Sequence, residues 1–306
     1  MDEFAAPALT VHTLQPATDQ LECIASHASA GGCYRRYRHW STALQCDMAF
    51  GVFFPPQMML APCPSVWWLS GITCTDENFM QKAGAHRVAA ERGLVIICPD
   101  TSPRGTGTAG EDERINLGTG AGFYVNATQP PWQRHYRMYD YVTEELPQLL
   151  SNNFPRLNQR ASIMGHSMGG LGALVCALRL PERYHAISAF APMAHPTAAP
   201  WGRDAFQAYL GDDPEQWEEY DPCALVRNID VNRNRLPIFI DQGDADPFLA
   251  AQLRVADFEE ACRAHGYPLT LRYRPGYDHS YFFVASFIDE HLHRHADLLL
   301  HRDDQD

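Results

Sequence analysis

Nine short segments recur along the chain: "LECIAS", "YRRYRHW", "MAFGVFFP", "SVWWLSG", "LVIICPD", "ASIMGHS", "AISAFAP", "LPIFIDQG" and "LTLRYRPG". Several are continuous apolar or β-branched runs that stop at Gly, Pro or Asp, whereas a sheet with one wet face would alternate. They predict strands buried on both faces of a mostly parallel sheet. The first three follow one another closely, with "SAGG" between two of them, so the sheet is expected to open with antiparallel hairpins. Helical segments alternate with the later strands: 76–92 with Asp76 at its cap position, 138–153 interrupted by Pro147, 168–180, 248–265 and 281–301. No repeat, low-complexity tract or linker divides the 306 residues, and 45% hydrophobic content suffices for a large core. The expected architecture is one α/β domain over 1–306, with helices on both faces of the sheet.

The segment "ASIMGHSMGGLGAL" is the chemically informative one. Gly165-His166-Ser167-Met168-Gly169 fits the G-x-S-x-G elbow of α/β hydrolases, in which a sharp strand-to-helix turn accepts only small neighbours and presents a serine hydroxyl. A strand-like run precedes it and a helix-like run follows, so Ser167 is the candidate nucleophile. That fold requires the order serine, acid, histidine. After "LPIFI" three carboxylates compete: Asp241 on the strand, Asp244 in the turn, and Asp246 at the loop tip. Reach favours Asp246, with Asp244 the competitor. Of the 14 histidines, His279 alone follows a late strand in a tight polar loop. His166 adjoins the serine and reads as elbow packing; Asp278 adjoins His279 and reads as a loop or capping residue.

An oxyanion needs two fixed donors. The Met168 amide is one, and the Ile72 amide, freed where "WWLSG" stops, is the other. Residues 100–135, rich in Gly, Thr and Pro, form a long segment without a convincing element, and such loops are functional or mobile. It is expected to lie over the active site. His291 and His295 are spaced to share a metal, but "DEHLHRHADLLLH" reads more simply as the polar face of a terminal helix, so no metal and no cofactor are expected.

Charge excludes some partners. With 24 basic and 37 acidic side chains the net charge is −13, the wrong sign for nucleic acid and unfavourable for an anionic membrane. The start "MDEFAAPALT" lacks a basic export signal, and no apolar run approaches the roughly 20 residues of a spanning helix. Nine cysteines without a C-x-x-C pair read as reduced thiols. A cytoplasmic enzyme acting on a small molecule is expected.

The motifs "LECIASHASAGG", "RYRHWS", "WWLSGITCTDENF", "PDTSPRG", "GAGFYVNAT", "YRMYDYVTEELP", "GHSMGG", "SAFAPMAHPTAAPWG", "IDQGDADPFL" and "GYDHSYFF" run through nearly the whole chain. In these the sequence resembles the S-formylglutathione hydrolase (esterase D) family of serine hydrolases. The resemblance implies Ser167, Asp246 and His279 as triad, Ile72 and Met168 as oxyanion donors, and Cys74 and Trp201 near the site. It also implies hydrolysis of S-formylglutathione in formaldehyde detoxification, side activity on small esters, and a homodimer. Tyr124 and Lys82 join the expected substrate contacts. Arg104, Arg134 and Lys82, the only lysine, are candidates to offset the glutathione carboxylates. Three positions depart from the family pattern: Leu171 for a usual histidine, Cys33 for a usual tryptophan, and Pro247 for a usual glutamine. Leu171 is expected to alter the pocket wall and Pro247 the stiffness of the acid loop. A general short-chain carboxylesterase, an acyltransferase of the same fold and a non-catalytic scaffold remain as alternatives.

Overall fold

The computed structural model describes residues 21–229 and 235–300. The segment "MDEFAAPALT", the tail "HRDDQD" and the last residue of the expected 281–301 helix lie outside these. All nine expected strands form: β1 (Glu22–Ser29), β2 (Gly32–Ser41), β3 (Cys46–Phe54), β4 (Cys63–Leu69), β5 (Val95–Pro99), β6 (Leu157–His166), β7 (Tyr184–Phe190), β8 (Ile238–Gly243) and β9 (Leu269–Arg274). They make one sheet in the order β1-β2-β3-β5-β4-β6-β7-β8-β9. Pairing is antiparallel from β1 through β3 to β5 and parallel from β5 to β9. Every residue of β4, β5 and β8 is buried, as strands covered on both faces require.

The helices are α1 (Asn78–Lys82), α2 (His86–Arg92), α3 (Met138–Asp140), α4 (Leu146–Asn153), α5 (Met168–Arg179), α6 (Pro200–Leu210), α7 (Pro214–Glu218), α8 (Pro222–Asn228), α9 (Val255–Ala264) and α10 (Tyr281–Leu300). Side chains of α1, α2 and α10 build the core on one sheet face, and those of α4, α5, α6, α8 and α9 the core on the other.

Several helical expectations change in detail. The segment 76–92 is two helices, broken at Gly84, whose φ of +72° no helix accepts. Asp76 is not its cap: it is buried and accepts two bonds from Arg36, at 2.6 and 2.9 Å. Pro147 does not interrupt 138–153, because a π-helical turn over Tyr141–Glu145 precedes α4. The Leu146 amide donates to the Tyr141 carbonyl, and Pro147, which has no N–H to give, falls in the first turn of the regular helix that follows. Residues 248–265 divide at Arg254, which adopts φ +55° between a π turn and α9.

The terminal helix brings the largest correction. His291 and His295 are not on a polar face; both are fully buried against the sheet. His295 shares hydrogen bonds with Ser162 on β6 at 2.7 Å and Ser188 on β7 at 2.8 Å. Ser188 also meets His291, at 2.8 Å, and the other nitrogen of His291 lies 3.4 Å from Asp241 on β8. Arg272 and Arg274 of β9 pair with the same carboxylate, at 2.7 and 2.9 Å. A polar chain thus crosses three central strands and clamps α10, whose N-terminal end adjoins His279.

Candidate active site

Ser167 stands between β6 and α5 with φ +58° and ψ −122°, a strained conformation for a residue with a side chain. Its neighbours explain why it is held there. A Cβ added to Gly169 would lie 1.9 Å from the Leu69 carbonyl oxygen, and one added to Gly165 would lie 2.2 Å from that of Gly169. Only glycine at both sites lets the elbow close against β4. The Ser167 amide donates to Phe190 at 3.0 Å, and its carbonyl accepts from Leu171 and Met193 at 3.0 and 3.1 Å, which fixes the backbone and leaves the hydroxyl toward the cavity.

Asp246 and His279 meet as the chain order requires. The imidazole Nδ1 lies 2.5 Å from Asp246 Oδ2, while the Phe248 amide donates to Oδ1 at 2.8 Å. Asp246 is 6% exposed, so the contact is largely shielded from water. The competing carboxylates have other work: Asp241 binds the β9 arginines, and Asp244 accepts from the Gly276 amide at 2.7 Å. Asp278 accepts from the Ser280 amide and hydroxyl at the start of α10, as a capping residue does.

The turn after β4 brings a second amide to the serine. A Cβ on Gly71 would lie 3.0 Å from Ser167 Cβ, so the backbone here touches the elbow. Thr73 donates its amide to Gly120 at 2.9 Å and Cys74 donates to Gly71 at 3.2 Å. Among the described residues the Ile72 and Met168 amides have no acceptor, and both belong to segments bordering Ser167. Gly71→Ala is expected to push this turn away. The expected result is a loss of kcat of about 10- to 100-fold with little change in Tm, measured by steady-state kinetics and thermal melting.

A cavity of about 270 Å³ opens over these groups, lined among others by Ile72, Cys74, Ser167, Trp201, Phe248, His279 and Tyr281. The 100–135 segment reaches it through Ile115 and is tied to the turn after β4 through Gly120. Cys74 and Trp201 are both part of this lining, and burial pushes the Cys74 thiol above its ordinary value. Tyr124 does not line the cavity. It is fully buried behind the elbow, and its hydroxyl donates to the Ser70 carbonyl at 2.8 Å, holding the end of β4. Lys82 sits outside the cavity, its ammonium 5.7 Å from the centre of the Tyr281 ring. Arg104 reaches the carbonyl of the lining residue Cys74 but is committed to Asp100, and Arg134 donates to Gln45, whereas Lys82 stands beside the lining ring of Tyr281. Phe248 and Tyr281 escaped the sequence reading of the site, although they lie two residues beyond Asp246 and His279.

Residues 41–294 match the family model described as "Putative esterase". S-formylglutathione hydrolase of Rattus norvegicus is 50% identical over 281 residues, covering 92% of this chain and 99% of the relative. The chain belongs to the S-formylglutathione hydrolase family. A solved S-formylglutathione hydrolase from Agrobacterium tumefaciens is 47% identical with a TM-score of 0.87, over 90% of this chain and 99% of that one. An S-formylglutathione hydrolase from Staphylococcus aureus, at 18% identity and TM-score 0.67 over 86% of this chain and 98% of that one, shares the fold alone. Within the S-formylglutathione hydrolase frame, none of the three departures lines the cavity. Leu171 is wholly buried in the core of α5 and forms no pocket wall, which corrects the expectation. Cys33 is buried on β2, and Pro247 is an exposed position of the acid loop.

Proposed function

We propose that the chain hydrolyses S-formylglutathione to glutathione and formate through an acyl-enzyme on Ser167. The observation that carries this reading is the Asp246–His279–Ser167 constellation over a cavity of about 270 Å³, in a chain half identical to a named thioesterase. His279 removes the Ser167 proton while Asp246 holds the imidazole tautomer. The serine oxygen attacks the formyl carbon, and the oxyanion takes hydrogen bonds from Ile72 and Met168. The C–S bond breaks, His279 returns the proton to the thiolate, and glutathione leaves. Water, deprotonated by His279, then attacks the formyl ester and releases formate.

The cavity suits a small acyl group and the cysteinyl portion of the substrate; the two terminal carboxylates of glutathione extend past its mouth. Lys82 beside Tyr281 supports charge pairing there, while Cys74 and Trp201 border the acyl group. We read 1–306 as one domain built on one sheet, acting as a cytoplasmic homodimer without cofactor. The described cysteines, all free thiols, support a reducing compartment, and the exposed Trp40 and Leu60 support self-association. No described helix is long and apolar enough to cross a membrane.

The test compares kcat/KM for S-formylglutathione and p-nitrophenyl acetate. The thioester is expected to be preferred by orders of magnitude, and Lys82→Ala to raise its KM about threefold to tenfold while leaving the acetate unaffected. Equal or better use of the acetate would favour the short-chain carboxylesterase reading instead.

A further inference from the structure

His166 has no part in the mechanism above, yet it touches the base. Its ring centre lies 4.4 Å from that of His279, with the planes tilted by 38°, and 6.0 Å from that of Tyr281. The residue is 5% exposed, and its buried Nε2 has no hydrogen-bond partner among the described residues. A nitrogen left in that state costs free energy comparable to a lost hydrogen bond, so pure filling would be better served by an apolar side chain. Burial and the neighbouring His279 hold His166 well below the ordinary imidazole range, and at neutral pH it carries no charge.

His279 becomes an imidazolium each time it takes a proton. A neutral aromatic face beside it attracts that cation more than it attracts the neutral ring, so the contact strengthens as charge develops. Phe248 meets His279 on another side, edge to face, with ring centres 5.1 Å apart. Resting on the proposed triad, we infer that His166 is a positioning residue for His279: an uncharged ring packed against the base that steadies it and stabilises its protonated form.

The test is the pH profile of kcat and kcat/KM for p-nitrophenyl acetate in wild type, His166→Leu and His166→Phe, with melting curves to establish folding. The titratable groups facing His279 are Asp246, Asp278 and His166, with Cys74 and Tyr281 lining the same cavity; only His166 changes in these variants. Leu fills the space without a π face and is expected to lower kcat about tenfold at nearly constant KM, with the acid limb moved to lower pH. Phe keeps the face and is expected to stay within about threefold of wild type. A Leu variant matching wild type in kcat and acid limb, or a folded Phe variant as impaired as Leu, overturns the inference. Ser167→Ala in the same series separates the two readings. Activity retained there sinks the triad and this inference with it, whereas an inactive Ser167→Ala beside an unperturbed Leu variant sinks this inference alone.

Discussion

Ser167→Ala is expected to lower kcat/KM by about 10⁵- to 10⁶-fold on thioester and ester alike, with the fold unchanged. The expectation of an intact fold rests on what holds the elbow: the bonds to Phe190, Leu171 and Met193 use the Ser167 backbone, not its hydroxyl. Asp246→Asn should cost about 10⁴-fold, because an amide facing Nδ1 favours the wrong tautomer of His279. The double variant should be scarcely worse than Ser167→Ala, since without a nucleophile the orientation of the base no longer matters. Stopped-flow and steady-state assays on purified variants check this, with melting curves as the folding control. Cys74 supplies the informative failure. It lines the same cavity, so substantial activity surviving in Ser167→Ala but abolished in Ser167→Ala/Cys74→Ala would transfer the nucleophile to the thiol.

The strands and the elbow were legible because their signals are local. Runs such as "LVIICPD" announce a strand buried on both faces, and the elbow glycines are demanded by contacts of about 2 Å that any sequence with this turn must avoid. Helices α6, α7 and α8 were missed because each begins with proline, which reads as a break. In the first turn, however, the missing N–H has no intrahelical partner to lose. Asp213 and Asp221, whose side chains accept from the amides that follow, were the available signal. Tyr124 and Arg104 failed for a different reason. Both lie near the site in sequence, but their polar ends are taken by Ser70, Asp100 and Cys74, partners up to 54 residues distant. His291 and His295 failed most completely, since their serine partners lie more than 100 residues away on β6 and β7 and helical periodicity carries no trace of them.

Those buried histidines should make the protein acid-labile in a defined window. His166 and His295 are held well below their ordinary values by burial, His86 is pushed down to about 4 by the same cause, and His39 and His291 are also lowered. The unfolded chain binds a proton at each near pH 6.5 while the folded chain refuses it, so stability is full above that pH and declines below it. The slope is about 1.4 kcal/mol per pH unit for each group. Between pH 6.5 and 5.5, where the unfolded imidazoles go from half to almost fully protonated, His166 and His295 together remove about 2 kcal/mol, an appreciable share of the ~5–15 kcal/mol typical of a folded domain. Tm is expected to fall by roughly 3–5 °C over that unit, measured by scanning at constant ionic strength. Asp241 acts in a separate window. Although burial opposes its charge, His291, Arg272 and Arg274 hold it below the usual carboxylate range, so its contribution persists above the unfolded value near 3.9 and is lost only as pH falls further. His295→Leu separates the histidine effect from general acid damage. It leaves the Ser162 hydroxyl without its imidazole and takes away one of the two that Ser188 meets, costing about 1–3 kcal/mol at pH 8, yet it also removes one titrating group. The variant should therefore melt lower than wild type at pH 8 and lose less on acidification. An unchanged slope below pH 6.5 would mean that His295 is protonated in the folded protein, and the clamp across β6, β7 and β8 would then need a different charge state.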